Sequence, residues 1–325
     1  MPSCFLTVSV GALSLAALVV APTHAQQTRY PERAVRLVVP FPPGGTVDVT
    51  ARLVTPIVSA ALGQQFVVDN RVGASGMIGS AHVAQSKPDG YTLLINTTPQ
   101  VTNTLMYSKV SYDALKDFTY VSYIASTPSF VSVHPSVPAR SVKDLIELAR
   151  SRPGLLNYAG AGSGTNPHIA GELFNLLAKI DMPVVQYKGG GPALTAAISG
   201  EVGVAFSGIA GAVGFVNSGR LRALGVTSLK PVPALPGVPP IASVLPGYEF
   251  SAWFVVAAPR GTSADIVGVL NQQFNRAIQA PELAQRLAQE GIDAVGTTPA
   301  QADAHVAAEL KKFERVVRER KMRAN

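Results

Sequence analysis

Two glycine-rich turns have the composition of an anion site. They are PFPPGGTVD at residues 40 to 48 and AGAGSGTNPH at residues 159 to 168, and each joins an apolar run to a helical pattern without any basic residue. The first turn of a helix leaves backbone N–H groups unpaired, and the peptide dipoles add partial positive charge there. A carboxylate or phosphate can bind such ends without Lys or Arg. The pair predicts one anion held between two helix N-termini, although glycine in either turn could serve only to turn the chain.

Two further turns repeat the pattern. YKGGGPAL at residues 187 to 194 adds Lys188 and Gly189, and FSGIAG at residues 206 to 211 places Ser207 at the end of an apolar run. Neither of the first two turns continues into the Gly-Lys-Ser/Thr of a phosphate loop, and no G-x-G-x-x-G is present among Gly160, Gly162 and Gly164, which excludes the usual nucleotide motifs. Four such turns in one chain favour a shared ligand site.

Other chemistry is poorly supported. The histidines downstream of residue 25 are widely spaced, there is no H-x-x-x-H pattern, and the chain has one cysteine, so we predict no metal and no cofactor. Ser163 and His168 lack the G-x-S-x-G elbow of a hydrolase, so we predict no catalytic residues. An enzyme using Asp48, His168 and Lys188 remains an open alternative.

The N-terminus is typical of an export signal. An apolar stretch from Val10 to Ala21 is too short to span a bilayer and precedes the small-residue sequence Thr23, His24, Ala25. We therefore predict a signal peptide over residues 1–25, although its first residues carry no Lys or Arg, and a protein located in the periplasm. The net charge of +7 favours anionic ligands through long-range attraction. Basic residues are not interleaved with aromatic ones, so we predict no nucleic-acid partner.

Strand-like runs alternate with helical patterns along the chain. The first series runs from Val35 to Asn96 and the second from Val142 to Phe206. This rhythm predicts an α/β fold with parallel sheets in two lobes, and open α/β sheets bind ligands at the carboxyl ends of their strands. A proline-rich connector between Leu229 and Tyr248 then leads to a strand and helix that rejoin the first lobe. The predicted domains are a discontinuous lobe 1 (26–126 plus 228–325) and lobe 2 (127–227).

Several segments in order resemble one protein family. They are RLVVPFPPGGTVDVTARLV, VVDNRVGASGMIGS, DGYTLL, LNYAGAGSGTNPHIAGELF, QYKGGGPAL and GRLRALGVTSLK. Together they look like the Bug receptors, the extracytoplasmic solute-binding proteins of tripartite tricarboxylate transporters, over about Tyr30 to Val317. The resemblance implies a two-lobed, hinge-bending type II periplasmic binding fold, often called a Venus flytrap. It also implies capture of a small carboxylate for delivery to membrane permease subunits, by a monomer.

The resemblance also implies which residues contact the ligand. Backbone and side-chain groups of both glycine turns and of the segment after DGYTLL face the cleft in that family. Carried over to this chain, the positions are Phe41, Pro43, Gly44, Gly45, Thr46, Asp48, Thr97, Thr98, Gln100, Ala161, Ser163, Gly164, Thr165 and His168.

Ser207 is a departure from the family pattern, because many relatives carry an aspartate there. An aspartate could bind a ligand amine, so its replacement by serine favours an acid without an amine. The apolar AGAVGF stretch that follows favours an aromatic or aliphatic acid. A periplasmic sensor that presents its closed form to a membrane signalling protein needs the same two lobes. The residues alone do not separate a sensor from a transport receptor.

Overall fold

The computed structural model describes residues 1–3, 30–289 and 291–324, without the side chain of Ala210. Met1–Tyr30 and Pro31–Asn325 are separate compact units, and the fold given below is that of the second. The predicted signal peptide lies almost wholly outside the described residues. Within the described part, no helix is both long and apolar enough to cross a membrane.

Strands and helices alternate along most of this unit. The strands are β1 Val35–Val39, β2 Phe66–Asn70, β3 Thr92–Asn96, β4 Phe118–Val133, β5 Tyr158–Gly160, β6 Val184–Gln186, β7 Val204–Gly208, β8 Arg222–Val226, β9 Ser251–Pro259 and β10 Asp293–Ala294. The helices are α1 Thr46–Leu62, α2 Met77–Ala84, α3 Pro99–Met106, α4 Val142–Ser151, α5 Asn166–Ala178, α6 Gly190–Ser199, α7 Ile209–Asn217, α8 Ala264–Gln279, α9 Pro281–Gln289 and α10 Pro299–Glu319. The predicted strand-helix rhythm is confirmed over both series.

The strands form one connected arrangement in the order β2-β1-β3-β9-β4-β7-β5-β6, with β8 and β10 also paired to β4. β1 runs parallel to β2 and β3, and β5 runs parallel to β6 and β7, as the alternation predicts. The central strands differ, because β9 is antiparallel to both β3 and β4. The strands within each predicted series are thus parallel, and the antiparallel pairs are those made by β4 and β9. The late strand β9 enters between β3 and β4 after the chain has returned from β8.

β4 connects the two halves of this arrangement. Its residues up to Pro128 pair with β9, and its last residues, from Ser129 onward, pair with β7 and β8. The sixteen-residue strand is buried along most of its length. A single strand thus contributes to the sheets on both sides of the cleft, and the chain returns between β8 and β9.

The C-terminal helix α10 packs on β4 and reaches α5. Its last turn is followed by Arg320, whose guanidinium lies 2.6 Å from Glu172 and 2.5 Å from Asp181. The hydroxyl of Tyr158 also donates to Glu172, at 2.7 Å. Glu172 is buried, so its ion pair with Arg320 is not an exposed surface interaction. These contacts therefore connect the end of α10 to α5 and β5 in the second half of the molecule.

His305 on α10 lies against aromatic rings of the central strands. It stacks on Tyr123 with centroids 4.2 Å apart and meets Trp253 edge to face at 5.4 Å. Burial, with a smaller contribution from the charge of Lys312, lowers the pKa of His305 to about 4. The folded protein therefore keeps this ring neutral at a pH where the unfolded chain binds a proton.

We expect His305 to make the fold sensitive to acid. A depressed histidine pKa means that the unfolded chain takes up the proton first, so the free energy of unfolding falls as the pH drops from about 6.5 toward about 4. His305→Phe keeps the stacked ring and removes this titration. Denaturant unfolding at about pH 7 and about pH 5 should show a smaller loss for H305F than for the unmodified protein. An equal loss would contradict the assignment, and His134→Asn, at a half-buried histidine that contacts neither ring, is the control.

Candidate ligand-binding cleft

Two adjoining chambers occupy the space where the glycine turns meet. The first chamber has a volume of about 520 Å³ and is lined from the first three turns and from β4 and β9. The second chamber has a volume of about 480 Å³ and is lined by α6, β7 and the start of α7. Both share the residues Gly44, Gly45, Thr46, Pro167, Gly190, Gly191 and Gly208. The chambers are therefore parts of one cleft, and the shared boundary is made of helix N-termini.

The helices that begin at this cleft have no side-chain caps. The N-cap residues of α1, α5, α6 and α7 are Gly45, Thr165, Gly189 and Gly208, and none of these four residues makes a side-chain cap hydrogen bond. α3 also begins at the cleft without one.

Three helices that begin away from the cleft have side-chain caps, whereas α2, with Gly76 at its N-cap, has none. Ser141, Ser263 and Thr298 accept hydrogen bonds from the first-turn N–H groups of α4, α8 and α10. Such a cap satisfies one of the donors that every helix start leaves unpaired. In α4, α8 and α10 a side chain of the protein accepts from a first-turn N–H group. At the cleft the corresponding N–H groups are left for another acceptor. Several positive helix ends therefore point to one place, and this is an electrostatic environment for an anion.

Asp48 stabilises the first glycine turn through hydrogen bonds. Its carboxylate accepts from the N–H of Gly44 at 2.9 Å, from Asn70 Nδ2 at 2.9 Å and from Arg52 Nε at 3.0 Å. Burial alone would raise the pKa of Asp48, but the hydrogen bonds from Arg52, Gly44 and Asn70 bring it below its usual range. The side chain is 2% exposed and lines neither chamber. In this structure Asp48 therefore positions the first turn, and its contact with a ligand stays a prediction.

His168 stabilises the second glycine turn in a similar way. Its Nδ1 accepts from the N–H of Gly164 at 3.0 Å, which assigns the proton of the neutral ring to Nε2. Burial lowers the pKa of His168, although Glu172 opposes this. The carbonyl of Gly164 accepts from Thr102 Oγ1 at 2.8 Å, which ties this turn to α3. His168 lines neither chamber, and its hydrogen bond holds the turn in place.

Thr97 and Asn166 bring unpaired oxygens to the first chamber. Both residues line it, and Thr97 Oγ1 and Asn166 Oδ1 are buried atoms without a hydrogen-bond partner in the described structure. Buried polar atoms are nearly always paired, so an unpaired one beside a cavity indicates where a bound group could be recognised. Gln100, in contrast, lies in an internal network in which it accepts from Asn96 at 2.8 Å and from Ser80 at 3.1 Å.

The structure brings most of the predicted contact residues together. Those that line the cleft are Phe41, Pro43, Gly44, Gly45, Thr46, Thr97, Ala161, Thr165, Lys188, Gly189 and Ser207. Those that do not line it are Asp48, Thr98, Gln100, Ser163, Gly164 and His168. Of the three groups in the enzyme alternative, only Lys188 reaches the cleft.

Other lining residues were not anticipated from the sequence. Thr127 and Ser129 reach the cleft from β4, and Phe254 reaches it from β9. Ile292 reaches it from the segment after α9. Their positions follow from strand order, for which no local pattern gives a signal. Asn166, in contrast, could have been found, because it begins the helix that the second turn opens.

A larger cavity, of about 720 Å³, lies elsewhere beside β2 and the starts of β1 and β3. Four of its five charged side chains are already paired within the protein, and Lys87 is the fifth. Arg33 binds Asp89 at 3.2 Å, and Arg36 binds Asp69 at 2.8 Å. The volume of this cavity therefore does not make it the better candidate, because it offers fewer unsatisfied groups to a ligand.

The fold and cleft are those of a solute-binding protein, and comparison with known proteins gives the family. Residues 50–322 match the model of the tripartite tricarboxylate transporter family receptor. The chain belongs to this family, as the sequence motifs predict.

Individual relatives extend over nearly the whole chain. It is 38% identical to the UPF0065 protein in the tcbD-tcbE intergenic region of Pseudomonas sp. (strain P51), over 95% of this chain and 93% of the relative. It is 34% identical to Protein BugT of Bordetella pertussis, over 95% of each.

Solved structures confirm the two-lobed fold class. An R. palustris protein with adipate has a TM-score of 0.82 and 39% identity, covering 89% of this chain and 97% of its own. MatC from Rhodopseudomonas palustris with bound malate has a TM-score of 0.80 and 32% identity, covering 89% and 100%. The periplasmic binding protein BugD has a TM-score of 0.81 and 27% identity, covering 91% and 100%.

We expect Thr97 to contribute nothing to the stability of the ligand-free protein. Its hydroxyl has no partner to lose, so Thr97→Val should leave the free energy of unfolding unchanged or raise it. Thr102→Val is the matched control, because Thr102 Oγ1 donates to Gly164 O; it should lower the free energy of unfolding by about 1 kcal/mol. Denaturant titration of both variants measures the difference. A larger loss for T97V than for T102V would show that Thr97 serves the fold.

Proposed function

We propose that the chain captures a small carboxylate outside the cytoplasm and delivers it to the membrane permease of a tripartite tricarboxylate-type transporter. One observation carries the proposal: the helices that begin at the cleft lack the side-chain caps that α4, α8 and α10 possess. Relatives of similar length with bound adipate and malate support the choice of a carboxylate.

Backbone donors supply enough energy for such binding. A hydrogen bond to a charged group contributes roughly 1.5 to 3 kcal/mol, and a helix terminus adds about 0.3 to 1 kcal/mol. Four or five of these contacts reach the roughly 8 kcal/mol of micromolar affinity after the cost of ordering the ligand. A cationic side chain is not required for this, and Lys188 at the wall of the first chamber adds long-range attraction.

The proposed mechanism is closure of two lobes on the ligand. The first lobe comprises residues 26–126 and 228–325, and the second comprises residues 127–227. The change in the pairing of β4 after Pro128 supports these boundaries, as does the return of the chain between β8 and β9. Closure excludes water and strengthens each contact with the anion, and a ligand shifts the open and closed populations by its preference for the closed form.

The remaining parts of the proposal concern location and assembly. A signal peptide over residues 1–25, cleaved after Ala25, would export the protein to the periplasm. There it acts as a monomer that binds without chemical conversion of the ligand. Asp48 and His168 support this last point, because both are engaged in holding the turns.

We expect Gly190→Pro to weaken carboxylate binding. Gly190 is the first residue of α6, where proline is well tolerated, and a Cβ at this position meets no atom within 4 Å. The change removes one backbone N–H from the cleft. Affinity for adipate or malate, measured by isothermal titration calorimetry, should fall at least about tenfold.

Ala264→Pro is the matched control for this variant. Ala264 is the first residue of α8, whose N-terminus is capped by Ser263 and begins away from the chambers. A264P should retain the affinity of the unmodified protein. Equal affinity for G190P and the unmodified protein would contradict a role for the α6 N-terminus, and failure of every carboxylate to bind would overturn the proposed function.

A further inference from the structure

Three exposed apolar side chains follow one another beside the edge strand β2. Val67 on β2, Val72 just after it and Ile78 in the first turn of α2 are exposed to 48%, 48% and 56%. β2 stands at the end of the strand order and pairs with β1 alone among the described strands. Single exposed apolar residues are ordinary, but a group of them marks an interaction site more often.

The turn between β2 and α2 brings Ile78 close to Val72. Its residues 73–76 all have positive φ, and two of them are not glycine, so this left-handed path is costly. A Cβ on Gly73 would lie 2.5 Å from Ile78 Cδ1, so the isoleucine lies across a glycine backbone and outside the core. The chain thus keeps a strained turn that presents apolar side chains to solvent.

Basic residues flank these apolar side chains. Ile78 and Lys109 line a cavity of about 510 Å³, which shares Gln85 with the cavity of about 720 Å³ described above. The cations in the wall of the larger cavity are Arg33, Arg36 and Lys87. This surface, hereafter the α2 face, spans residues 67–87 and includes Arg33, Arg36 and Lys109.

The carboxylates of the α2 face do not balance its positive charge. Asp69 and Asp89 are the acids in the walls of the two cavities, against four Lys and Arg side chains. Asp69 also binds Arg71 at 2.8 Å, which adds a fifth cation beside β2. Lys87 and Lys109 are exposed and pair with no acid among the described residues. Net positive charge and exposed apolar side chains therefore occur on the same surface.

The basic helix α10 lacks this combination. Its cations alternate with glutamates, and Lys312 and Arg315 form ion pairs with Glu309 and Glu319. Among the described residues, none of the exposed large apolar side chains lies on α10. The α2 face is thus the better candidate for contact with a surface that is both anionic and partly apolar.

We propose that the α2 face docks the protein on an anionic bilayer surface. Its cations come from the segment before β1, from β1, and from the segments after α2 and α3. This spread fits many lipid head groups better than one bound molecule. Lys and Arg near such a surface are attracted to the head groups, and Val72 and Ile78 contact the boundary between head groups and acyl chains.

Docking by this face keeps the ligand cleft near the bilayer. A Cβ on Gly76 would lie 3.4 Å from the ring of Phe41, which lines the first chamber. The strained turn therefore joins the α2 face to the rim of the cleft. This docking needs no ligand in the cleft, so its test is separate from that of the proposed function.

Cosedimentation with lipid vesicles tests the docking. Residues 26–325 contain the compact unit Pro31–Asn325 and leave out the apolar N-terminal stretch, which would bind lipid by itself. The vesicles are phosphatidylcholine with or without about one quarter phosphatidylglycerol, at about 0.05 M salt. Binding should be at least about tenfold tighter to the anionic vesicles and should weaken at about 0.5 M salt. No binding, or equal binding to both kinds of vesicle, would overturn the proposal.

Charge reversal on two helices tests the assignment to the α2 face. Lys87→Glu with Lys109→Glu should weaken binding to the anionic vesicles at least about tenfold. Lys311→Glu with Arg318→Glu changes the net charge equally at exposed positions of α10 and should weaken binding less than about threefold. An equal loss in the two double variants would show attraction by net charge alone and would overturn the assignment.

The apolar contact has its own test. Val72→Ser with Ile78→Ser leaves every charge in place and should weaken binding at least about threefold. Leu155→Ser with Leu229→Ser is the control, because these leucines are exposed to 54% and 57% outside the α2 face. An unchanged affinity in V72S/I78S, or an equal loss in the control, would overturn the role of the apolar pair.

Discussion

Unpaired backbone N–H groups at helix N-termini are the constraint on which this structure depends. A helix start that is removed from water needs an acceptor, and elsewhere in the chain Ser141, Ser263 and Thr298 supply one. At the cleft, the N-cap position is taken by glycine, or by Thr165, whose hydroxyl donates to the carbonyl of Gly162 and caps no N–H group. The cost of leaving these donors unpaired is small while water fills the cleft and becomes large when water is excluded. The closed form is therefore favoured when an anion is bound, and in this way ligand binding is coupled to closure of the cleft.

Much of the surrounding structure serves to hold these helix ends. Asp48 and His168 carry groups that could act on a ligand, yet each accepts a hydrogen bond from a glycine N–H of its own turn. Gly44 and Gly164 both have positive φ, which fixes the path of the chain at these points. β4 supplies the common frame, because the sheets on both sides of the cleft pair with it. The donors are thus positioned by rigid elements.

Local patterns allowed a large part of this to be predicted from sequence. The glycine turns, the helices they open and the meeting of those helices at one cleft follow from hydrophobic periodicity and turn chemistry. The insertion of β9 between β3 and β4 could not be predicted from such patterns, because strand order is set by contacts between residues more than a hundred positions apart in sequence. The hydrogen bonds from Asp48 and His168 to their glycine turns could not be predicted either. A carboxylate or imidazole beside a ligand turn has the same sequence signature whether it faces the ligand or supports the backbone.

The most direct measurement is the response of individual glycine amides to a bound carboxylate. The chain has 29 glycines, so selective ¹⁵N-glycine labelling gives a resolvable set of resonances. Gly45, Gly190 and Gly191 precede the first N–H groups that find acceptors within their own helices. Their amide protons should shift downfield and saturate as the acid binds, while those of Gly63, Gly154 and Gly247, outside the chambers, stay in place. Saturable binding of the acid with no change at the three cleft glycines would contradict recognition by helix N-termini.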